Sequence, residues 1–371
     1  MQIGFDAKRL FNNATGLGNY SRTLVNNLQE YFPQHTYHLY SPKTSNQYFN
    51  AKEFKVHTNQ KGFGALWRSW SMSKDWEQAG LQIYHGLSNE LPFSNKGKTK
   101  TVVTIHDLIF EVLPETYKWA DRKIYRQKVV NSCQYADQIV AISERTKSDI
   151  CYYYDIKPEK IKVIYQAVNH RYYQENQQKD IPLGLETHQL ASLPSSYILS
   201  VGTFQTRKNQ ISILKAWRSL PKAHQIPIVL VGRGAAHEKL LHEYATAYQI
   251  PLYCFNNITE TSELRAIYQK ASVFVFPSYY EGFGLPIVEA LLSGVPVVCS
   301  DTSAMPEAAG DAAILIDPFD ADAIAAGISK VLQDSILRQD MIDRGRIYAL
   351  NTFDRRGLSE QLMSLYNGML E

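Results

Sequence analysis

Glu281 and Glu289 stand eight positions apart and bracket the turn Gly282-Phe283-Gly284-Leu285-Pro286. The residues before it, VFVFP, fit a buried parallel strand, and the residues after it, PIVEALLSG, fit a short helix with proline in its first turn and glycine at its end. Gly282 and Gly284 let backbone approach closely, and the amides of Phe283, Leu285 and their neighbours lie at the helix start, where an anion is stabilised. Helical side chains lean toward the N-terminus, so Glu289 reaches the same space. Carboxylates repel phosphate and accept from hydroxyls. A ligand suited to both features carries hydroxyls and phosphates together, as a sugar nucleotide does. Glu289 lies among Ile287, Val288, Ala290, Leu291 and Leu292, and an unpaired carboxylate in so apolar a helix is costly.

Other chemistry-bearing residues follow apparent strands, where doubly wound sheets bind ligands. Arg207 and Lys208 come after YILSVGT and before a helix, placed to offset a diphosphate and the charge that develops as it leaves. Gly232 and Gly234 follow PIVLV, and Gly16-Leu17-Gly18 follows the first strand; each alone reads as an ordinary turn. His106-Asp107 ends KTVVTIHD, where a histidine can bind sugar hydroxyls or take a proton and a neighbouring acid can orient it; His85, ending IYHG, is a weaker candidate. Asp320-Ala321-Asp322 has the spacing of a metal-binding pair, but it opens the helix DADAIAAGISKVL and is explained by Asp320 as N-cap. With two cations already available for phosphate, no metal is expected.

The elements that must hold these residues alternate between strand and helix patterns. Strands are expected at 2–6, 38–42, 55–59, 83–86, 100–107, 137–143 and 160–165, with a loop from Asn12 to Gly18 opening a helix that ends near Tyr31. Residues 170–196 are polar and irregular and read as a linker, before a second strand and helix series that closes with an amphipathic helix over 353–371. The expected fold class is α/β, with two doubly wound domains at 1–175 and 190–352.

Composition agrees. At 371 residues, 44% hydrophobic and 20% charged, the chain exceeds one comfortable core and reads as a soluble two-domain protein. A net charge of +3 is too small to argue for nucleic acid. Four cysteines without C-x-x-C spacing suit reduced thiols in the cytoplasm. No stretch is long and apolar enough to span a bilayer. The segment Gly64 to Trp76, with three tryptophans, is a candidate for peripheral contact with the inner membrane face, though such stripes are more often core.

The run Glu281-Gly-Phe-Gly-Leu-Pro-Ile-Val-Glu289 resembles the E-x7-E signature of retaining family-4 glycosyltransferases, and Gly202-Thr203-Phe204-Gln205-Thr206-Arg207-Lys208-Asn209 resembles their G-T-x-x-x-R-K-N pattern. The resemblance implies the GT-B fold, two Rossmann-like domains facing across a cleft. The first, with the terminal helix crossing back to it, would bind acceptor, and the second would bind donor. It further implies transfer of a mannose- or glucose-type hexose from a donor such as GDP-mannose or UDP-glucose to a carbohydrate or lipid-linked glycan. In those roles Glu289 binds ribose and Glu281 a donor-sugar hydroxyl. Gly202, Arg207, Lys208 and Gly232 lie along the nucleotide diphosphate, with Phe255 to Ile258 along its base. Gly16 and Gly18 approach the donor phosphate, and His106 lies beside the reacting carbon. The leaving phosphate would assist removal of the acceptor's proton. Three other readings stay open: a sugar-nucleotide epimerase of the same fold, a glycosidase using Glu281 and Glu289 as acid and base, and a sugar-nucleotide sensor without catalysis.

Overall fold

A computed structural model of the chain describes residues 1–13, 15–59, 72–92, 97–174 and 193–371. They cluster into two compact units, Met1–Val168 with Phe353–Glu371, and Asn169–Thr352.

The first unit is built on β1 (Gln2–Asp6), β2 (Thr36–Ser41), β3 (Lys55–Thr58), β4 (Ile83–Gly86), β5 (Lys100–Ile105), β6 (Gln138–Ala141) and β7 (Ile161–Val163). These form a parallel sheet in the order β3-β2-β1-β4-β5-β6-β7. The central strands are buried on both faces, which is why they read as continuous apolar runs rather than alternating ones. The stretch expected as a loop from Asn12 to Gly18 is different: Lys8–Asn12 form a short helix, and Gly16 and Gly18 lie in the first turn of the helix Gly16–Tyr31.

The last helix, Arg355–Gly368, belongs to this unit. Asp354 caps it by accepting from Gly357 N at 2.6 Å. Arg355 bonds Asn27 Oδ1 at 2.8 and 3.0 Å, and the Tyr366 hydroxyl meets His85 Nδ1 at 2.6 Å. Of the tryptophan-rich segment, residues 64–71 lie outside the described residues. Trp76, at its end, is 1% exposed and stacks on Tyr84 at 3.9 Å, so there the core reading holds.

The second unit carries β8 (Ile198–Val201), β9 (Ile228–Val231), β10 (Leu252–Phe255), β11 (Val273–Phe276), β12 (Val297–Ser300) and β13 (Ala313–Ile316). They form a parallel sheet in the order β10-β9-β8-β11-β12-β13. The order reverses direction between β8 and β11, and the loops leaving that switch point at the carboxyl ends are where such sheets take ligands. Residues 175–192 of the expected linker lie outside the described residues. Its first residues are no tether, however: His170–Tyr173 form a 3-10 turn in which Tyr172 is 1% exposed, because aromatic rings inside a polar run still find the core.

The four cysteines are free thiols, Cys133 and Cys299 buried and Cys151 and Cys254 partly so. Among the described residues, no helix is long and apolar enough to cross a membrane.

Candidate functional site

The loops that follow β8 and β11 converge at the switch point of the second unit. After β8, Gly202 has φ +152° and leads to the 3-10 turn Thr206–Lys208, which ends at Asn209 in the left-handed conformation, φ +55°. The Asn209 side chain is 1% exposed and donates to Pro277 O at 3.1 Å and Pro318 O at 2.7 Å. It thereby ties the β8 loop to the loops after β11 and β13. Tyr279 N donates to Arg207 O at 2.8 Å, and Arg207 Nη1 to Tyr280 O at 3.1 Å. Asparagine is among the few non-glycine residues that tolerate this backbone conformation, and that was the sequence signal available for a role not anticipated.

These straps deliver the charges to one place. Arg207 Nη1 and Lys208 Nζ lie 2.8 and 2.5 Å from Glu281 Oε1, and the ammonium also sits 5.0 Å from the centre of the Phe276 ring. Burial alone would push the Glu281 carboxyl up, but Lys208 and then Arg207 outweigh it and hold the group below its ordinary value. Glu281 is therefore a buried carboxylate shared by two cations. Its backbone is pinned separately, with its N–H donating to Ser303 Oγ at 3.0 Å and that hydroxyl donating to Glu281 O at 2.5 Å.

Gly284 has φ +123° and precedes the helix Leu285–Leu292, which has Pro286 in its first turn and no side-chain cap. One turn in, Glu289 faces a different set of partners. Tyr268 donates to its Oε2 at 3.0 Å, and the Tyr172 and Tyr268 rings meet edge to face at 6.2 Å. Burial pushes the Glu289 carboxyl up to about 7, against the downward pull of the Tyr268 hydrogen bond. It is no solvated helix face. The Tyr172 hydroxyl is buried with no hydrogen-bond partner among the described residues. Neither tyrosine was anticipated, since nothing in a lone aromatic marks it as a carboxylate's neighbour.

The glycines also lie where loop backbones meet. A Cβ on Gly232 would stand 2.0 Å from Gly202 O, and one on Gly234 2.4 Å from Phe204 O. Glycine is needed there because one loop's backbone lies directly on its neighbour's, with Phe204 N donating to Arg233 O at 2.8 Å. In the first unit a Cβ on Gly18 would stand 1.9 Å from Asn13 O, whereas one on Gly16 meets nothing within 4 Å. Gly18 is thus required for packing at a helix start, and Gly16 is not sterically required.

His106 follows β5, 5% exposed, edge to face with Tyr20 at 4.7 Å. Its Nε2 meets Leu87 O at 2.8 Å, so that nitrogen carries the proton and Nδ1 accepts from Gln166 Nε2 at 3.0 Å. Burial lowers its pKa to about 4. Both ring nitrogens are thus engaged, and burial disfavours the charged ring. The ring's hydrogen-bond partners are Leu87 and Gln166, and Asp107 Oδ1 accepts from Ile109 N at 3.2 Å. His85 is fully buried between Tyr366 and Thr104. Asp320 caps the helix Ala321–Gln333, its Oδ1 accepting from Asp322 N at 2.8 Å and Ala323 N at 3.2 Å.

Comparison with known proteins agrees with this architecture. Residues 188–348 match the family described as glycosyl transferases group 1, and residues 14–172 match glycosyltransferase family 4. The chain is 33% identical over 288 residues to O-antigen chain mannosyltransferase B of Escherichia coli, covering 76% of this chain and 74% of that one. It is 26% identical to O-antigen chain mannosyltransferase RfbU of Salmonella typhimurium, over 64% of this chain and 62% of the relative. In fold it resembles Anabaena HepE, crystallised with UDP-glucose, with a TM-score of 0.77 over 99% of this chain and 100% of that one at 15% identity. Two Rossmann-like parallel-sheet units of this kind constitute the GT-B fold.

Proposed function

The chain belongs to glycosyltransferase family 4 and is a hexosyltransferase, and from that premise we propose that it moves mannose, with retention, from a nucleotide-diphosphate sugar to a hydroxyl of a growing glycan. Mannose is favoured over glucose because the relatives named above are mannosyltransferases of O-antigen chains, which makes GDP-mannose the first donor to test. On this reading the unit carrying β8–β13 binds donor and the unit carrying β1–β7 binds acceptor, on the cytoplasmic side of the membrane.

The observation that carries the reading is the shared contact of Arg207 and Lys208 with Glu281 at the switch point. Two cations fixed by backbone straps suit a diphosphate, whose negative charge grows as the glycosidic bond breaks. Glu281 accepts from donor-sugar hydroxyls, and Glu289, held by Tyr268, accepts from the ribose. The two cations supply the charge that a metal would otherwise bring. His106, neutral and fixed, shapes its surroundings rather than moving a proton.

A lipid-linked acceptor fits one further feature. The solvent side of the helix Trp119–Tyr135 shows Trp119 and Ile124, 74% and 54% exposed, beside the exposed Lys118 and Lys123. Aromatic and cationic side chains mixed in this way suit the headgroup region of an anionic bilayer.

Thermal-shift measurement with GDP, UDP and ADP tests the donor, since a ligand bound only by the folded form raises the melting temperature. GDP is expected to give the largest shift and GDP-mannose with a mannan-type acceptor to give transfer. Indifference to all three nucleotides would overturn the reading.

A further inference from the structure

Arg207 and Lys208, the cations assigned to the diphosphate, both contact a single carboxylate oxygen, Glu281 Oε1. The geometry points to a second role for Glu281, as an internal counter-ion that competes with the diphosphate for Arg207 and Lys208 and so helps expel the nucleoside diphosphate product. The inference rests on the donor-site reading above and adds to it what happens after transfer.

Phosphate oxygens that arrive at these cations compete for the charge and donors that Glu281 already engages. At 7% exposure the glutamate has little water to turn to, and a buried carboxylate separated from its counter-charges is strongly disfavoured. The intact donor resolves this conflict. Its phosphates accept from the cations while its sugar hydroxyls donate to the released carboxylate. After transfer the nucleoside diphosphate still has its phosphates but no sugar hydroxyls. Glu281 then regains a partner only by returning to Arg207 and Lys208, and each return loosens the product.

Two features make this exchange local. The loop is held through the Glu281 backbone to Ser303 and through Arg207 to Tyr280 O, so its position does not depend on the carboxylate. The same cations also keep the group ionised, so the competing charge persists at neutral pH.

Isothermal titration with whichever of GDP, UDP and ADP gives the largest thermal shift tests the idea. Glu281→Gln keeps the shape and removes the charge. It is expected to bind the nucleoside diphosphate about tenfold tighter than wild type, a change worth ~1.4 kcal/mol, and to lose the preference for sugar nucleotide over free diphosphate. Arg207→Gln is expected to bind it at least tenfold more weakly. Equal or weaker binding by Glu281→Gln, with Arg207→Gln impaired, overturns the counter-ion role and leaves the donor site standing. Binding by Arg207→Gln equal to wild type, or none by wild type, overturns the donor-site reading and the inference with it. Should Glu281→Gln fail to fold, Glu281→Asp pulls the charge back by one methylene. A severalfold tightening is then expected, and unchanged affinity refutes the role.

Discussion

One buried polar cluster from each unit is built in the opposite way to the other, although the first unit also buries Glu111 against Arg122 and Arg126. In the second, Glu281 is a carboxylate in contact with Arg207 and Lys208 at the strand ends, and burial pushes the Glu289 carboxyl up to about 7. In the first, His85, Thr104, Tyr20 and Tyr366 form a neutral chain, with His106 against the ring of Tyr20. Burial lowers the pKa of His85 to about 3 and that of His106 to about 4. Charge kept in a fold at the expense of desolvation points to a ligand that uses it. A satisfied neutral network points to the positioning of a helix, here the terminal one that carries Tyr366.

The largest effect that separates these roles is on turnover. Arg207→Ala or Glu281→Ala is expected to lower kcat/KM for sugar transfer by about 10²–10³, the size seen when one preorganised charge-stabilising group is removed. Both variants leave a buried charge with one partner fewer, so some loss of melting temperature is expected, and the loops still strapped by Asn209 and Ser303 should keep the fold. Transfer at the wild-type rate by either folded variant would place the chemistry elsewhere.

Next in size is a loss of stability in the first unit. Tyr366→Phe strands His85 Nδ1 in a fully buried position. An orphaned buried polar group costs about 1–3 kcal/mol, so chemical denaturation should show a reduced midpoint with donor affinity unchanged. A weaker affinity for GDP instead would show that the network serves the ligand and not the helix.

What could be read before folding divides along the same line. The switch-point residues were legible because their chemistry is encoded locally: carboxylates, cations and glycines follow apolar strands at fixed offsets. That Glu281 Oε1 contacts both Arg207 and Lys208 was not legible, because it depends on Asn209 Nδ2 reaching two carbonyls far along the chain. The surroundings of His106 were hidden for a related reason. A histidine at a strand end looks available in sequence, and only the positions of Leu87 O and Gln166 show its nitrogens engaged. Nor does the sequence show that Gly232 and Gly18 lie directly against the backbone of Gly202 and Asn13.

The smallest effects are in the pH dependence of stability, where the two units should pull in opposite directions. Glu289 has its pKa raised from 4.5 to about 7 in the fold. Between those values the native state binds more protons than the unfolded one, so its contribution is full below about pH 4.5 and is lost as pH rises through 7. Glu289→Gln should therefore gain in melting temperature relative to wild type as pH goes from 5 to 8. His106 has its pKa lowered from 6.5 to about 4, chiefly by burial. Here the unfolded state binds the extra proton, so the contribution is full above about pH 6.5 and is lost as pH falls through 4. His106→Gln should fall below wild type at pH 7 and approach it at pH 4. The same variant bears on catalysis. A ring that stays neutral through this range contributes no ionisation near pH 6.5 to kcat/KM, and a wild-type limb there that disappears in His106→Gln would return the histidine to proton transfer.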